Sequence, residues 1–184
     1  MSEELRLAFG SGHLNLHEQG YKNVDIRQFE HVDVVTDVSK KLPWDSNSVD
    51  EILAESILEH IPHGFLLGGL SYASSHVNTT SVLTEWNRVL VPGGLLKIKV
   101  PNVLGLISQY MRKNIKPRDF WMYMYGGQEY KDNIHYCGFD PETLTNCLML
   151  AGFVNIKITN AHTYDGPLAE NDAWEMGALA YKKA

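Results

Sequence analysis

The chain predicts an α/β fold: a doubly wound seven-stranded sheet, mostly parallel, closed by an antiparallel strand pair at its C-terminal end. Three observations carry this. The apolar run Leu5 to Phe9 stops at Gly10-Ser11-Gly12, as a buried parallel strand ending in a tight turn does. Strand-like runs then alternate with helical or turn segments, and such alternation gives a parallel sheet covered on its faces. Finally, two strand-like runs follow the last helix with no helix between them, so they pair antiparallel. No repeat or linker interrupts the order, and residues 1–184 read as one domain.

Glycines at positions 10 and 12 let the backbone take positive φ and let a ligand lie against it. Ligands of open α/β sheets sit beyond the carboxyl ends of the strands, so the first strand points at a binding site. His13 to Gly20 has mixed polarity and predicts a turn or brief helix. His13 and His17 stand four apart, a metal-ligand spacing on a helix, but no third ligand joins them and no metal site is expected. Tyr21 to Ile26 and His31 to Asp37 read as the second and third strands, each carrying an acid at its end. Asp25 and Asp37 there suit the hydroxyls of a ribose, although aspartate also serves turns and caps.

Leu42 to Asn47 is a loop, and Val49 to Ala54 is the fourth strand. Glu55 to Ile61 begins a helical turn that places Glu59 and His60 at the carboxyl edge of the sheet. There His60 either takes part in chemistry or packs against the core. Pro62 spoils a ligand pair of His60 with His63. The stretch from Pro62 to Thr79, with Gly68-Gly69 inside an apolar run, reads as a lid or a docked loop. Val82, Leu83, Trp86, Val89 and Leu90 mark a buried helix stripe, with Thr80 or Ser81 as cap and Pro92-Gly93-Gly94 as terminator.

Leu95 to Val100 is the fifth strand. Val103 to Tyr125 predicts two helices split at Ile115-Lys116-Pro117, and the aromatic run Phe120 to Tyr125 reads as core. A polar loop from Glu129 to Phe139 holds His135 and Tyr136. Asp140 caps a helix with Pro141 in its first position, and Gly152 ends it. Phe153 to Thr159 and Trp174 to Tyr181 are the final strands.

Composition narrows the function. Hydrophobic residues make up 44% and charged residues 21%, ordinary values for a globular protein. The net charge of -6 argues against a nucleic-acid partner held by phosphate contacts. Two cysteines, Cys137 and Cys147, form neither a disulfide framework nor a Cys-x-x-Cys site, which fits a reducing, cytoplasmic setting. No run is apolar enough to span a membrane, and Met1-Ser2-Glu3-Glu4 lacks the order of a signal peptide.

With these pieces in order, the sequence resembles the class I S-adenosylmethionine-dependent methyltransferases, a Rossmann-like fold. More narrowly, it is similar to the small bacterial type. The resemblance rests on Phe9-Gly10-Ser11-Gly12, Asn23-Val24-Asp25-Ile26, Asp37, Leu42-Pro43-Trp44 and Ser48-Val49-Asp50. It continues through Leu58-Glu59-His60-Ile61 and the run from Glu85 to Gly94, then Gly126-Gly127-Gln128, His135, Gly138-Phe139 and Leu148 to Phe153.

The resemblance implies S-adenosyl-L-methionine as cofactor. It assigns the cofactor to Phe9, Gly10, Ser11 and Gly12, to Asp25 and Ile26, to Asp37 and Val38, and to Glu55, Ser56 and His60. A sulfonium cofactor carries no phosphate, so a weak helix after Gly12 is tolerated. Such proteins often carry a helix before the first strand that covers the cofactor, whereas four residues precede Leu5. The Pro62–Thr79 segment or another subunit of a homo-oligomer then covers the site, or the site is open.

The resemblance thus implies methyl transfer to a small-molecule or sugar acceptor. His135 is the first candidate for a base, His60 its rival, and Tyr136 a group that orients the acceptor. Two alternatives stand beside it. A nicotinamide-dependent oxidoreductase needs a pyrophosphate site, for which the third glycine and a strong first helix are missing. A catalytically inactive module that only binds S-adenosylmethionine is the other.

Overall fold

The strands are β1 (Arg6–Phe9), β2 (Lys22–Asp25), β3 (Val34–Val35), β4 (Val49–Glu55), β5 (Leu90–Pro101), β6 (Phe153–Thr159) and β7 (Glu175–Lys182). They form one sheet in the order β3-β2-β1-β4-β5-β7-β6. The computed structural model describes residues 4–63, 77–166, 168 and 174–184. Neighbours from β3 to β5 run parallel, and β7 lies antiparallel between β5 and β6. The chain leaves β1 toward β2 on one side and returns to β4 on the other. That reversal opens a crevice at the carboxyl ends of β1 and β4.

Sequence patterning explains the layers. In β5, Leu96, Ile98 and Val100 are fully buried, while Lys97 and Lys99 alternate onto the opposite face. The apolar face packs under α1 (Thr79–Val89) and α4 (Pro141–Leu150), which contribute buried Val82, Leu83, Trp86, Leu144, Cys147 and Leu148. On the other face the lysines pair with β4 carboxylates, Lys97 with Glu51 and Lys99 with Glu55, both at 2.8 Å. Tyr21 adds its hydroxyl to Glu51, and Tyr164 donates to Glu55 at 3.0 Å. Between β1 and β2 the crossover holds a single 3-10 turn, His17–Gln19, as the mixed polarity there predicts.

Several expectations need correction. The cap of α1 is Asn78, whose side chain accepts from Ser81 N at 3.0 Å while Ser81 Oγ accepts from Asn78 N at 3.1 Å. Helix α1 ends at Val89, before Pro92-Gly93-Gly94. Those residues belong to β5, beside the register shift between Val49 and Glu51, where Gly93 takes φ +80°. Strand β3 is only two residues long, because Asp33 folds its side chain back to accept from Asn23 N at 2.7 Å.

The split after the fifth strand is present, as α2 (Val103–Met111) and α3 (Pro117–Tyr125). The aromatic run on α3 is not core. Phe120 is buried, but Trp121 and Tyr125 are 52% and 51% exposed and stack on each other 5.8 Å apart. The helix lies against α2 along one edge, through the Tyr110–Phe120 stack at 4.4 Å, and Tyr123 packs half-buried on Trp174 at 4.2 Å, which leaves Trp121, Met122 and Tyr125 exposed. Of the Pro62–Thr79 stretch read as a lid or docked loop, residues 64–76 lie outside the described residues. Among those described, no helix is long and apolar enough to cross a membrane.

Candidate functional site

A cleft of about 330 Å³ lies over the carboxyl ends of β1 to β4. Each strand delivers its next residues to it: Gly10 from β1, Asp25 to Arg27 from β2, Thr36 to Ser39 from β3, and Ser56, Ile57, His60 and Ile61 from β4. Tyr130, Lys131, Asp132 and Tyr136 close the far side. The volume falls in the range of small-molecule sites, about 300–1,000 Å³.

The glycine turn is shaped by its neighbours. Gly10 and Gly12 take φ +63° and +57°, and a Cβ on Gly10 would run into the Ile57 side chain. Asp25 is 4% exposed and ties the turn to β2. Its Oδ2 accepts from Gly12 N at 2.8 Å and its Oδ1 from Arg27 N at 2.8 Å. A carboxylate offers about four acceptor directions, so two remain for hydroxyls in the cleft. The Oγ of Ser11 is buried with no hydrogen-bond partner among the described residues. Gly10 and Asp25 thus put a close backbone approach beside a carboxylate at the cleft wall.

Asp37 stands at the end of β3. Burial works against its charge, but bonds from Ser39 Oγ (2.6 Å), Ser39 N (3.0 Å) and Lys40 (3.1 Å) together hold it below the usual carboxylate range. Its loop is pinned from beneath. Trp86 Nε1 donates to Val38 O at 2.9 Å, and Arg88 holds Trp44 O at 3.0 Å while paired with Glu85 at 2.7 Å. The Glu85-Trp86-Asn87-Arg88 run on α1 thereby fixes one wall of the cleft.

The 126–139 loop folds back over the turn after β4. Tyr136 N donates to Glu59 O at 2.8 Å, and Cys137 N donates to the same oxygen at 3.3 Å. His60 Nδ1 donates to Ile134 O at 3.0 Å, and His135 Nδ1 donates to Tyr123 O at 2.9 Å. A carbonyl accepts only from a protonated nitrogen, so in both rings Nε2 carries the lone pair. The rings meet edge to face, 4.8 Å between centroids. Burial lowers both pKa values, and for His60 the neighbouring His135 adds to it. Glu59, 1% exposed, has an Oε2 without a partner among the described residues, and burial pushes its carboxyl up to about 8. One ligand atom from each of Glu59, His60 and His135 lies within 4.8 Å of the others.

Of the expected site residues, the structure brings Gly10, Asp25, Ile26, Asp37, Val38, Ser56, His60 and Tyr136 to the cleft wall. Others stand apart from it. Phe9 is core, packed edge to face on Trp86 at 5.3 Å, and Glu55 turns to Lys99 and Tyr164 on the other face of the sheet. Ser11 and Gly12 support the wall from behind, through Ser11 N to Val24 O and Gly12 N to Asp25. His135 sits behind His60. His63 is buried, bonded through Nε2 to Gly138 O at 2.8 Å. His17 pairs with Asp33 at 2.8 Å and stays on the surface.

Sequence reasoning missed Arg27, Thr36 and the Tyr130-Lys131-Asp132 run. Arg27 lies over the rings of Phe29 (5.0 Å) and Tyr130 (4.7 Å), joining the β2 loop to the 126–139 loop. A cation flanked by aromatics in two distant loops gives no local signal. Glu59 was noted at the sheet edge, but nothing in the sequence shows that it is buried without a partner.

Comparison with solved structures assigns this architecture to the class I S-adenosylmethionine-dependent methyltransferase fold. A Thermotoga maritima S-adenosylmethionine-dependent methyltransferase, described as a possible histamine N-methyltransferase, superposes with a TM-score of 0.62 at 18% identity, over 100% of this chain and 84% of that one. An Archaeoglobus fulgidus methyltransferase of the same cofactor class gives 0.62 and 18%, over 97% and 86%. The Haemonchus contortus phosphoethanolamine N-methyltransferase 2, in complex with S-adenosyl-L-methionine, gives 0.61 and 14%. This chain spans half the length of that protein. No protein-family model and no curated protein sequence matches the chain.

Proposed function

We propose that this protein is an S-adenosylmethionine-dependent methyltransferase acting on a small-molecule or sugar acceptor. The observation that carries the reading is Asp25: a buried carboxylate at the end of β2, locked to the glycine turn through Gly12 N and facing the crevice beside β1. Solved structures with this fold hold S-adenosyl-L-methionine, the Haemonchus enzyme among them.

When bound, S-adenosylmethionine supplies a methyl group on a positively charged sulfur, ready for in-line displacement. Asp25 would hold the ribose hydroxyls, Gly10, with Gly12 supporting the turn from behind, would let the methionine portion lie on the backbone, and Asp37 with Val38 would border the adenine. Ser56 and His60 flank the end where the methyl group leaves. Alignment of acceptor and methyl group is the chain's main contribution, which in well-oriented systems removes about 7–11 kcal/mol of barrier.

Tyr130, Lys131, Asp132 and Tyr136 form the acceptor side. Their mix of charges and hydroxyls suits a polar acceptor, and Tyr136, 59% exposed, is free to orient it. The Glu59–His60–His135 cluster handles the acceptor's proton. The experiment is thermal melting with S-adenosylhomocysteine beside NAD. Stabilisation by the former supports the reading; stabilisation by NAD alone overturns it. Acceptors then follow from a screen of hydroxylated and amino small molecules with labelled cofactor.

A further inference from the structure

We propose that Glu59, His60 and His135 bind one divalent transition-metal cation just behind the cleft wall that His60 forms, with coordination positions left open. The inference rests on the methyltransferase reading only for what the ion does, not for whether it binds.

Three observations converge. First, the ligand atoms come within 4.8 Å of one another although they arise from two segments, the turn after β4 and the 126–139 loop. Ligands at about 2.0–2.2 Å from one ion lie roughly 3–4 Å apart, so small side-chain rotations bring all three onto it. Second, both imidazoles are locked in the ligating tautomer. Each donates Nδ1–H to a backbone carbonyl, Ile134 O or Tyr123 O, which aims Nε2 elsewhere and raises its basicity. Third, Glu59 is 1% exposed, and its Oε2 meets no donor among the described residues. Two imidazoles, each with one nitrogen left to ligate, and a buried carboxyl oxygen without a partner among the described residues thus stand in one cluster. A buried carboxylate without a partner is costly, and a cation removes that cost.

The donor set narrows the ion. Two imidazoles with one carboxylate suit manganese, iron(II), cobalt or zinc, whereas magnesium and calcium favour all-oxygen shells. Three protein ligands leave positions free, the arrangement of reactive rather than purely structural sites. Of the three ligands only His60 reaches the cleft wall, beside Ser56 and Tyr136, so an open position on its side is the one an acceptor reaches. An acceptor hydroxyl or amine coordinated there loses its proton more readily and is held beside the methyl group.

Cobalt(II) is the probe, titrated into the full chain without cofactor or acceptor and followed by visible absorption and calorimetry. One ion per chain is expected. Affinity should fall at least the 10- to 100-fold that the loss of a supporting group costs in Glu59→Gln and His135→Ala, and stay unchanged in His17→Ala. Absence of one-to-one binding, or equal binding in all three variants, overturns the proposal. If a variant fails to fold by circular dichroism, proton NMR of the parent chain decides. Cobalt should shift the ring resonances of His60 and His135 and spare that of His17; the reverse refutes it. Melting with S-adenosylhomocysteine in the presence of EDTA tests the cofactor reading separately.

Discussion

Replacing Asp25 separates a binding residue from a turn residue, and the structure sets the size of the effect. Its two oxygens accept two backbone N–H groups, Gly12 and Arg27, each at 2.8 Å. Asp25→Ala strands both donors in a nearly dry environment. At about 1–3 kcal/mol for each stranded donor, with water from the cleft relieving part, the loss is about 2–4 kcal/mol. For a chain of this length that lowers the melting temperature of the free protein by on the order of 5–15 °C. The Arg27 contact at 3.6 Å adds little, because that guanidinium is 39% exposed. Asp25→Asn keeps one acceptor but turns an amide N–H₂ toward the other donor, so its loss is intermediate. Calorimetry on the folded fraction then reads binding alone. Losing one charge-assisted bond to a ribose hydroxyl costs about 1.5–3 kcal/mol, so the variant binds S-adenosylhomocysteine at least roughly ten- to a hundredfold more weakly. An alanine variant that binds like the parent makes Asp25 a turn residue only. One that also melts like the parent refutes the hydrogen-bond accounting itself.

At a concentration a hundredfold above its dissociation constant, S-adenosylhomocysteine should stabilise the parent by about 2.7 kcal/mol, a rise of roughly 5–10 °C in melting temperature. Gly10→Ala, at φ +63° and against Ile57, should abolish that rise while costing about 1–2 kcal/mol in backbone strain; a retained rise sinks the close-approach argument. Asp37 is held below its ordinary 3.8, so it contributes stability present above that pH and lost as the pH falls through the lower folded value. Asp37→Asn should therefore melt below the parent at pH 7 by a few degrees, and the two curves should meet in strong acid; a gap that does not close counts against the charge. With an accepted substrate in hand, His135→Ala should keep affinity for S-adenosylhomocysteine and lose about 10²–10⁴ in turnover. A variant that turns over at the parent rate removes His135 from the chemistry.

The mostly parallel sheet with its antiparallel C-terminal pair, and the strand-end wall of the cleft, were legible because each is written locally. An apolar run followed by Gly10-Ser11-Gly12, or by Asp25, places a residue at a strand's carboxyl end, and the parallel sheet brings all such ends to one edge. Period alone misjudged α3. Aromatic density marks burial only where a second surface is present to cover it, and α2 covers one edge. Glu55 was misplaced for a related reason. Strand residues alternate, so the position beside a site residue faces the opposite side of the sheet, and there Lys99 and Tyr164 take it. The far wall of the cleft was illegible because it is made by tertiary return. Glu59 and His60 meet His135 across more than seventy residues of chain, and what joins them is a pair of backbone carbonyls, Ile134 O and Tyr123 O, that no side-chain pattern encodes. The same reason locates specificity. On the proposed reading, residues that hold the cofactor sit on strand ends fixed by the sheet, whereas those facing the acceptor sit on a loop anchored by bonds at Glu59 O, Ile134 O and Gly138 O and by the Arg27–Tyr130 contact. Substitution in the 126–139 loop is therefore free to change the acceptor while Gly10, Asp25 and Asp37 keep their geometry.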